Sequence, residues 1–145
     1  MNLHVERVLR ATPERVWDVL SDWERQADWM PDVAWMRVQG PARAAGARIL
    51  ARTRVLGVPA TTDVLEVVAW EPPRRLRVDH RGLVTGWGEW RLEPGPAGST
   101  RFVWDEHLRL PGGALGETAL RVYGPYQRAM LRRSLGNLAA LVEPH

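Results

Sequence analysis

Polar and apolar residues alternate over positions 2 to 10, the two-residue period of a strand with one face buried. Thr12-Pro13-Glu14 follows, supplying an N-cap side chain, a proline at the first helical position and an acid in the first turn, so a helix is predicted from there. Val16 and Leu20 stand four apart with Trp17 beside them, an apolar stripe on that helix. Ser21-Asp22 closes it and caps a second short helix, which should end at Pro31 because the residue before a proline avoids helical conformation.

From Val33 the period changes. Segments near 33–39, 46–56, 60–70, 75–82, 85–93 and 100–109 are short and rich in Val, Leu, Thr and Trp. Gly40-Pro41, Gly57-Val58-Pro59, Glu71-Pro72-Pro73 and the run from Glu93 to Gly98 separate strands with turns too short for a crossover helix, so successive strands should pair antiparallel in a meander. Ala47, Ile49, Ala51, Thr53 and Val55 alternate against Arg48, Leu50, Arg52 and Arg54, which assigns an inner and an outer face. The same alternation puts Phe102, Trp104, Glu106 and Leu108 opposite Arg101, Val103, Asp105 and His107, and His80 on the face of Leu76 and Val78. After Pro111-Gly112-Gly113, residues 114–143 read as helix, with Leu131, Leu135, Leu138 and Val142 on one stripe and Arg121, Arg128 and Arg132 on another. Thirty helical residues span about 45 Å, enough to cover the inner face of the sheet. Pro125 should kink this helix near Gly124. Without repeat, linker or low-complexity tract, residues 1–145 are expected to form a single domain.

Composition narrows the function classes. The 145 residues hold no cysteine, which removes disulfides, thiolate metal sites and a thiol nucleophile. All 20 basic residues are arginine, yet 17 carboxylates interrupt them and the net charge is only +3. That dispersed footprint argues against a nucleic-acid partner. No signal-like start and no apolar run of ~18 residues are present, so the expectation is a cytoplasmic protein with no integral membrane association, monomeric or homodimeric. His4, His80, His107 and His145 are too dispersed to suggest a metal site, and Gly86-Trp87-Gly88 lacks the third glycine and strand-to-helix context of a dinucleotide fingerprint. It reads instead as a strand segment where opposing groups come close. No cofactor is implied.

Ala11-Thr12-Pro13-Glu14-Arg15-Val16-Trp17, Leu20-Ser21-Asp22-Trp23 and Trp29-Met30-Pro31-Asp32-Val33 together resemble the opening of the polyketide cyclase/dehydrase and START-like (Bet v 1-like, SRPBCC) superfamily. Val68-Ala69-Trp70-Glu71-Pro72-Pro73-Arg74-Arg75-Leu76 and Gly98-Ser99-Thr100-Arg101-Phe102-Val103-Trp104 extend the likeness over essentially the whole chain. The resemblance implies an α+β helix-grip fold: a curved antiparallel sheet of about seven strands wrapped around a long C-terminal helix, with two short helices after the first strand. It also implies an apolar ligand, such as a lipid, sterol or polyketide, held between sheet and helix.

Side-chain volumes fit such a cavity, because Ala47, Ala51 and Thr53 on the inner face are small. Candidate ligand contacts are Trp29, Met30, Met36, Ala51, Thr53, Trp90, Trp104, Tyr123, Tyr126 and Met130. Among the eight tryptophans, Trp17 and Trp70 look like structural anchors, whereas Trp29, Trp90 and Trp104 suit either core or pocket. Glu106 and His80 are the acid/base candidates should the protein be an enzyme; a strand bulge could instead turn Glu106 to solvent, and His80 could make an ordinary satisfied hydrogen bond. Three readings therefore stand: a carrier of an apolar small molecule, an aromatic polyketide cyclase/dehydratase, and an interaction protein with a filled interior.

Overall fold

A computed structural model describes residues 1–144. β1 (Asn2–Leu9) leads to helix α1 (Pro13–Leu20) and a 3₁₀ helix (Trp23–Asp28); then come β2 (Val33–Gln39), β3 (Arg48–Val55), β4 (Val58–Glu71), β5 (Arg75–Arg81), β6 (Thr85–Pro94), β7 (Thr100–Arg109) and α2 (Ala114–Val142). The seven strands form one antiparallel sheet in the order β1-β7-β6-β5-β4-β3-β2. The first strand thus closes against the last, and the pairings from β2 through β7 all join sequence neighbours. This is the α+β helix-grip arrangement expected from the sequence.

Local chemistry sets the boundaries. Thr12 caps α1, its side-chain oxygen accepting from the Arg15 amide, with Pro13 inside the first turn. Val16, Trp17 and Leu20 are the buried face of α1. The second short helix differs from expectation: it is 3₁₀ rather than α, and it ends at Asp28, ahead of Met30-Pro31. It buries Trp23 and Gln26, three apart on one face, and both side chains tie it down: Gln26 Nε2 donates to the Leu20 carbonyl at 2.6 Å and Trp23 Nε1 to the Ala42 carbonyl at 3.0 Å.

α2 runs as one helix through Pro125. Its C-terminal half buries Leu131, Leu135, Leu138 and Val142, the stripe read from the sequence, and the helix packs on β1, β7 and α1. Its N-terminal half buries less: Leu115 and Val122 are exposed, while Leu120 and Tyr123 turn toward the concave face of the sheet. Many of the scattered arginines are paired on the outer face, as in Arg75 with Glu71 (2.7 Å) and Glu89 (3.0 Å), and Arg101 with Glu93 (2.7 Å) and Glu6 (2.8 Å). No helix among the described residues is long and apolar enough to cross a membrane.

Candidate functional site: a cavity between the sheet and the long helix

A cluster of aromatic rings fills the core where the segment after the 3₁₀ helix meets the sheet. There Trp29 packs 5.6 Å from Trp90 and 6.0 Å from Trp104 between ring centroids, and Trp90 meets Trp104 edge-on at 5.7 Å. Beyond this aromatic wall the side chains stop short of filling the space, leaving a cavity of about 420 Å³. Ala51 and Thr53 of β3 and Gly88 of β6 are small residues on its sheet wall; Leu120 and Tyr123 of α2 form the roof. The lining is mostly apolar.

The alternation read from the sequence survives wherever strands pair without a bulge. β7 is paired in continuous register with β1 on one side and β6 on the other, so Trp104, Glu106 and Leu108 all reach the cavity. His80 arrives with Val78 on β5. At the end of β3 the pairing with β4 shifts by one residue, the extra one being Ala60 of β4, so Thr53 and Val55 both keep their inward parity; the outward assignment of Arg54 is corrected by the course of its side chain. Its guanidinium turns to the cavity rim, where Nη1 donates to the carbonyls of Val33 (2.9 Å) and Pro31 (3.4 Å).

Of the residues singled out as ligand contacts, Met30, Met36, Ala51, Thr53, Trp90, Trp104 and Tyr123 line the cavity, and Glu106 and His80 do so as well. Three others are placed elsewhere. Trp29 is 1% exposed and stands behind Trp90 and Trp104 as part of the core. Tyr126 packs against Tyr123 at 5.1 Å without reaching the lining, and Met130, one turn on, is half-buried outside it. A helix turns about 100° per residue, so its cavity-facing stripe is narrow. That stripe runs through Leu120, Tyr123 and Gln127.

Sequence reasoning passes over Asp32, Asp63 and Gln127. Asp63 is legible, since it shares the parity of Thr61 and Leu65 on β4, all three on the cavity wall. Gln127 stands four residues after Tyr123 on the same helical face. Asp32 gives no such signal; it lies in the turn before β2 and is carried inward by a backbone bond between its carbonyl and the Arg54 amide at 2.6 Å.

These polar groups are few and their environments are extreme. Glu106 sits deep in the protein, and burial, reinforced by the charge of Asp32, pushes its carboxyl up to about 8. Trp104 Nε1 donates to Glu106 Oε1 at 3.1 Å, opposing the shift only in part. Burial likewise raises Asp32, against a long 3.4 Å hydrogen bond from Gln127 Nε2 and the Arg54 charge. Burial lowers His80, with Asp63 and Asp79 pulling the other way. At neutral pH the cavity therefore presents a protonated acid and a neutral imidazole, a pair able to give and take protons or to anchor a polar atom. Among the described residues no group of three or more His, Asp or Glu side chains is placed to hold a metal ion.

Solved structures share this architecture. A protein from Thermus thermophilus is 20% identical with a TM-score of 0.79, covering 97% of this chain and 95% of its own. A START superfamily protein from Mycobacterium smegmatis is 14% identical with a TM-score of 0.77, covering 97% of this chain and 99% of its own. A conserved protein from Geobacillus kaustophilus is 17% identical with a TM-score of 0.75, covering 97% and 93%. At such identities the likeness is one of fold. No curated protein matches the chain in sequence. Residues 1–143 do match the family described as polyketide cyclase / dehydrase and lipid transport, and the chain, which has the helix-grip fold, belongs to that family.

Proposed function

We propose that this protein binds or carries a small apolar or aromatic molecule, of lipid, sterol or polyketide type, in the cavity between the sheet and α2. The observation that carries the reading is the cavity itself: about 420 Å³ of unfilled space with a mostly apolar lining, at a place where the protein could have packed its own side chains. Burial of guest surface, at about 25 cal/mol per Å², supplies the driving force. The interaction-protein reading expects a filled interior, and the cavity speaks against it.

The test is a panel of lipids, sterols and polycyclic aromatics followed by tryptophan fluorescence and thermal melting. Trp23, Trp90 and Trp104 line the cavity and should report occupancy directly. A guest present at about a hundred times its Kd adds about 2.7 kcal/mol to the folded state, a shift in Tm of roughly 5–10 °C for a chain of this size. Ala51→Phe should abolish both signals while leaving the protein folded, because the added ring occupies the space of the guest. Silence across the whole panel, or full binding by the Phe variant, would count against the carrier reading.

The polyketide cyclase/dehydratase reading is favoured by one specific feature, the raised carboxyl of Glu106 beside a neutral His80 in the same cavity. A protonated carboxyl could assist enolisation or loss of water, and the cavity could hold a reactive chain in register. Glu106→Gln separates the two readings: a cyclase should lose about a hundredfold or more in turnover with little change in binding, whereas a carrier has no turnover to lose.

A further inference from the structure

Gly88 is the one glycine on the cavity wall among the described residues, and nothing in its backbone asks for a glycine. Its φ lies outside the left-handed region, unlike that of Gly86 two residues earlier, which has φ +125° and where a Cβ would run into the His107 carbonyl. Glycine in the interior of a strand costs stability, so a position that tolerates other residues and still lacks a side chain calls for a reason in the space it leaves open. Here that space is well defined. Gly88 pairs with Val78 on β5 and with Glu106 on β7. A Cβ built on it would stand 3.4 Å from His80 Nε2 and 3.6 Å from Glu106 Oε1, at ordinary contact distance from both. The missing side chain thus opens a niche flanked by two cavity side chains able to donate a hydrogen bond. His80 Nε2 is buried there without a hydrogen-bond partner, a loss that an atom seated in the niche would repair.

We infer that the guest carries an oxygen that accepts a hydrogen bond, a carbonyl or hydroxyl, and that this oxygen seats in the niche at Gly88 between Glu106 and His80. The inference rests on the carrier reading above and adds to it the chemical class of the guest and the residue that selects it. Glu106 in its acid form is the donor on one side, and His80 Nε2, in the tautomer that protonates it, on the other. The remaining charged or titratable groups of the cavity are Asp32 before β2, Arg54 of β3, Asp63 of β4, Tyr123 of α2 and the ammonium of Met1, which precedes β1.

Equilibrium dialysis with two matched pairs tests this: 2-acetylnaphthalene against 2-ethylnaphthalene, and 2-decanone against decane. The quantity read is the preference for the oxygenated member in the wild type relative to a variant, which cancels the different solubilities in water. Gly88→Ala should cut that preference about tenfold, the worth of one hydrogen bond denied its place. Raising the pH from about 7 to about 9.5 should cut it similarly in the wild type, as Glu106 loses its proton. Glu106→Gln keeps an N–H donor and every other charged group of the cavity, so its preference should stay flat over the same range. Circular dichroism checks that Gly88→Ala is folded, and the pH comparison decides the matter if it is not. Binding of both members of each pair with an unaltered preference in Gly88→Ala, or with the same pH profile in wild type and Glu106→Gln, overturns the inference alone. Failure of all four compounds to bind overturns it together with the carrier reading.

Discussion

Trp29→Ala should lower the free energy of unfolding by about 4 kcal/mol, measured by urea denaturation at neutral pH. The side chain is 1% exposed, and its ring touches both Trp90 and Trp104, the pair that walls off the core from the cavity. Truncation removes the transfer free energy of an indole and leaves a void that its neighbours cannot close, since two of them are themselves large rings held by further aromatic contacts at 6.2 Å to Phe102. The backbone role of the residue is untouched, because Asn137 Nδ2 donates to the Trp29 carbonyl rather than to its ring. A domain of this kind has roughly 5–15 kcal/mol in total, so the variant should be near the edge of folding at physiological temperature. The void also has a functional reading: it adjoins the guest space through Trp90 and Trp104, and the variant should accept larger guests than the wild type. Trp29→Phe should recover more than half of the loss. A cost below about 1 kcal/mol for the alanine variant would mean that the aromatic wall is not a rigid partition between core and cavity.

How far the sequence reveals this arrangement depends on how each residue acquires its direction. The strands, the two α-helices and the inward parity of Ala51, Thr53, Trp104 and Glu106 follow from period and turn chemistry, and these are legible because β7 runs without a bulge between its neighbours and β3 keeps its alternation through Val55. Arg54 is the counterexample. It reaches the rim although Thr53 and Val55 on either side keep their inward parity, because its long side chain bonds the carbonyls of Pro31 and Val33, partners 23 and 21 residues away that no local pattern names. Trp29 and Trp90 show a second limit: both are buried aromatics, and only the three-dimensional position of the 3₁₀ helix decides that Trp90 faces the cavity and Trp29 stands behind it. Asp32 shows a third. It becomes part of the site through Gln127, 95 residues further along the chain, so its role exists only once α2 has been laid across the sheet. Gly86-Trp87-Gly88 reads in the sequence as a point of close approach, yet the close approach belongs to Gly86; Gly88 is a place left open.

The stability of the protein should fall as the pH rises from about 5 to about 8, and Glu106→Gln should abolish most of that slope. The sign follows from proton counting. In the unfolded chain Glu106 titrates at its ordinary value of 4.5, whereas burial and the neighbouring Asp32 charge push the folded-state group up to about 8. Between those two values the folded protein holds a proton that the unfolded chain has released, so each step upward in pH favours unfolding; below 4.5 both states are protonated and above about 8 neither is, and the slope from this group vanishes at either end. Where the two states differ by one proton the slope from this group is about 1.4 kcal/mol per pH unit. Its environment sets only how far apart the folded and unfolded values lie, and so how wide the window is. His80 does not mimic this. Its folded-state value is lowered, so it binds fewer protons folded than unfolded near its ordinary titration range, and its contribution rises with pH. Asp32, raised by burial, acts in the same direction as Glu106 but from a lower starting value, and it persists in the Gln variant as the residual slope at the acid end. Urea titrations of both proteins at unit steps of pH across the window read the difference directly. Parallel curves would mean that Glu106 is ionised in the folded protein at neutral pH, leaving the cavity without its proton donor. A guest that accepts a hydrogen bond from the acid form should extend the wild-type slope to pH values above about 8, because binding holds the proton in place against release.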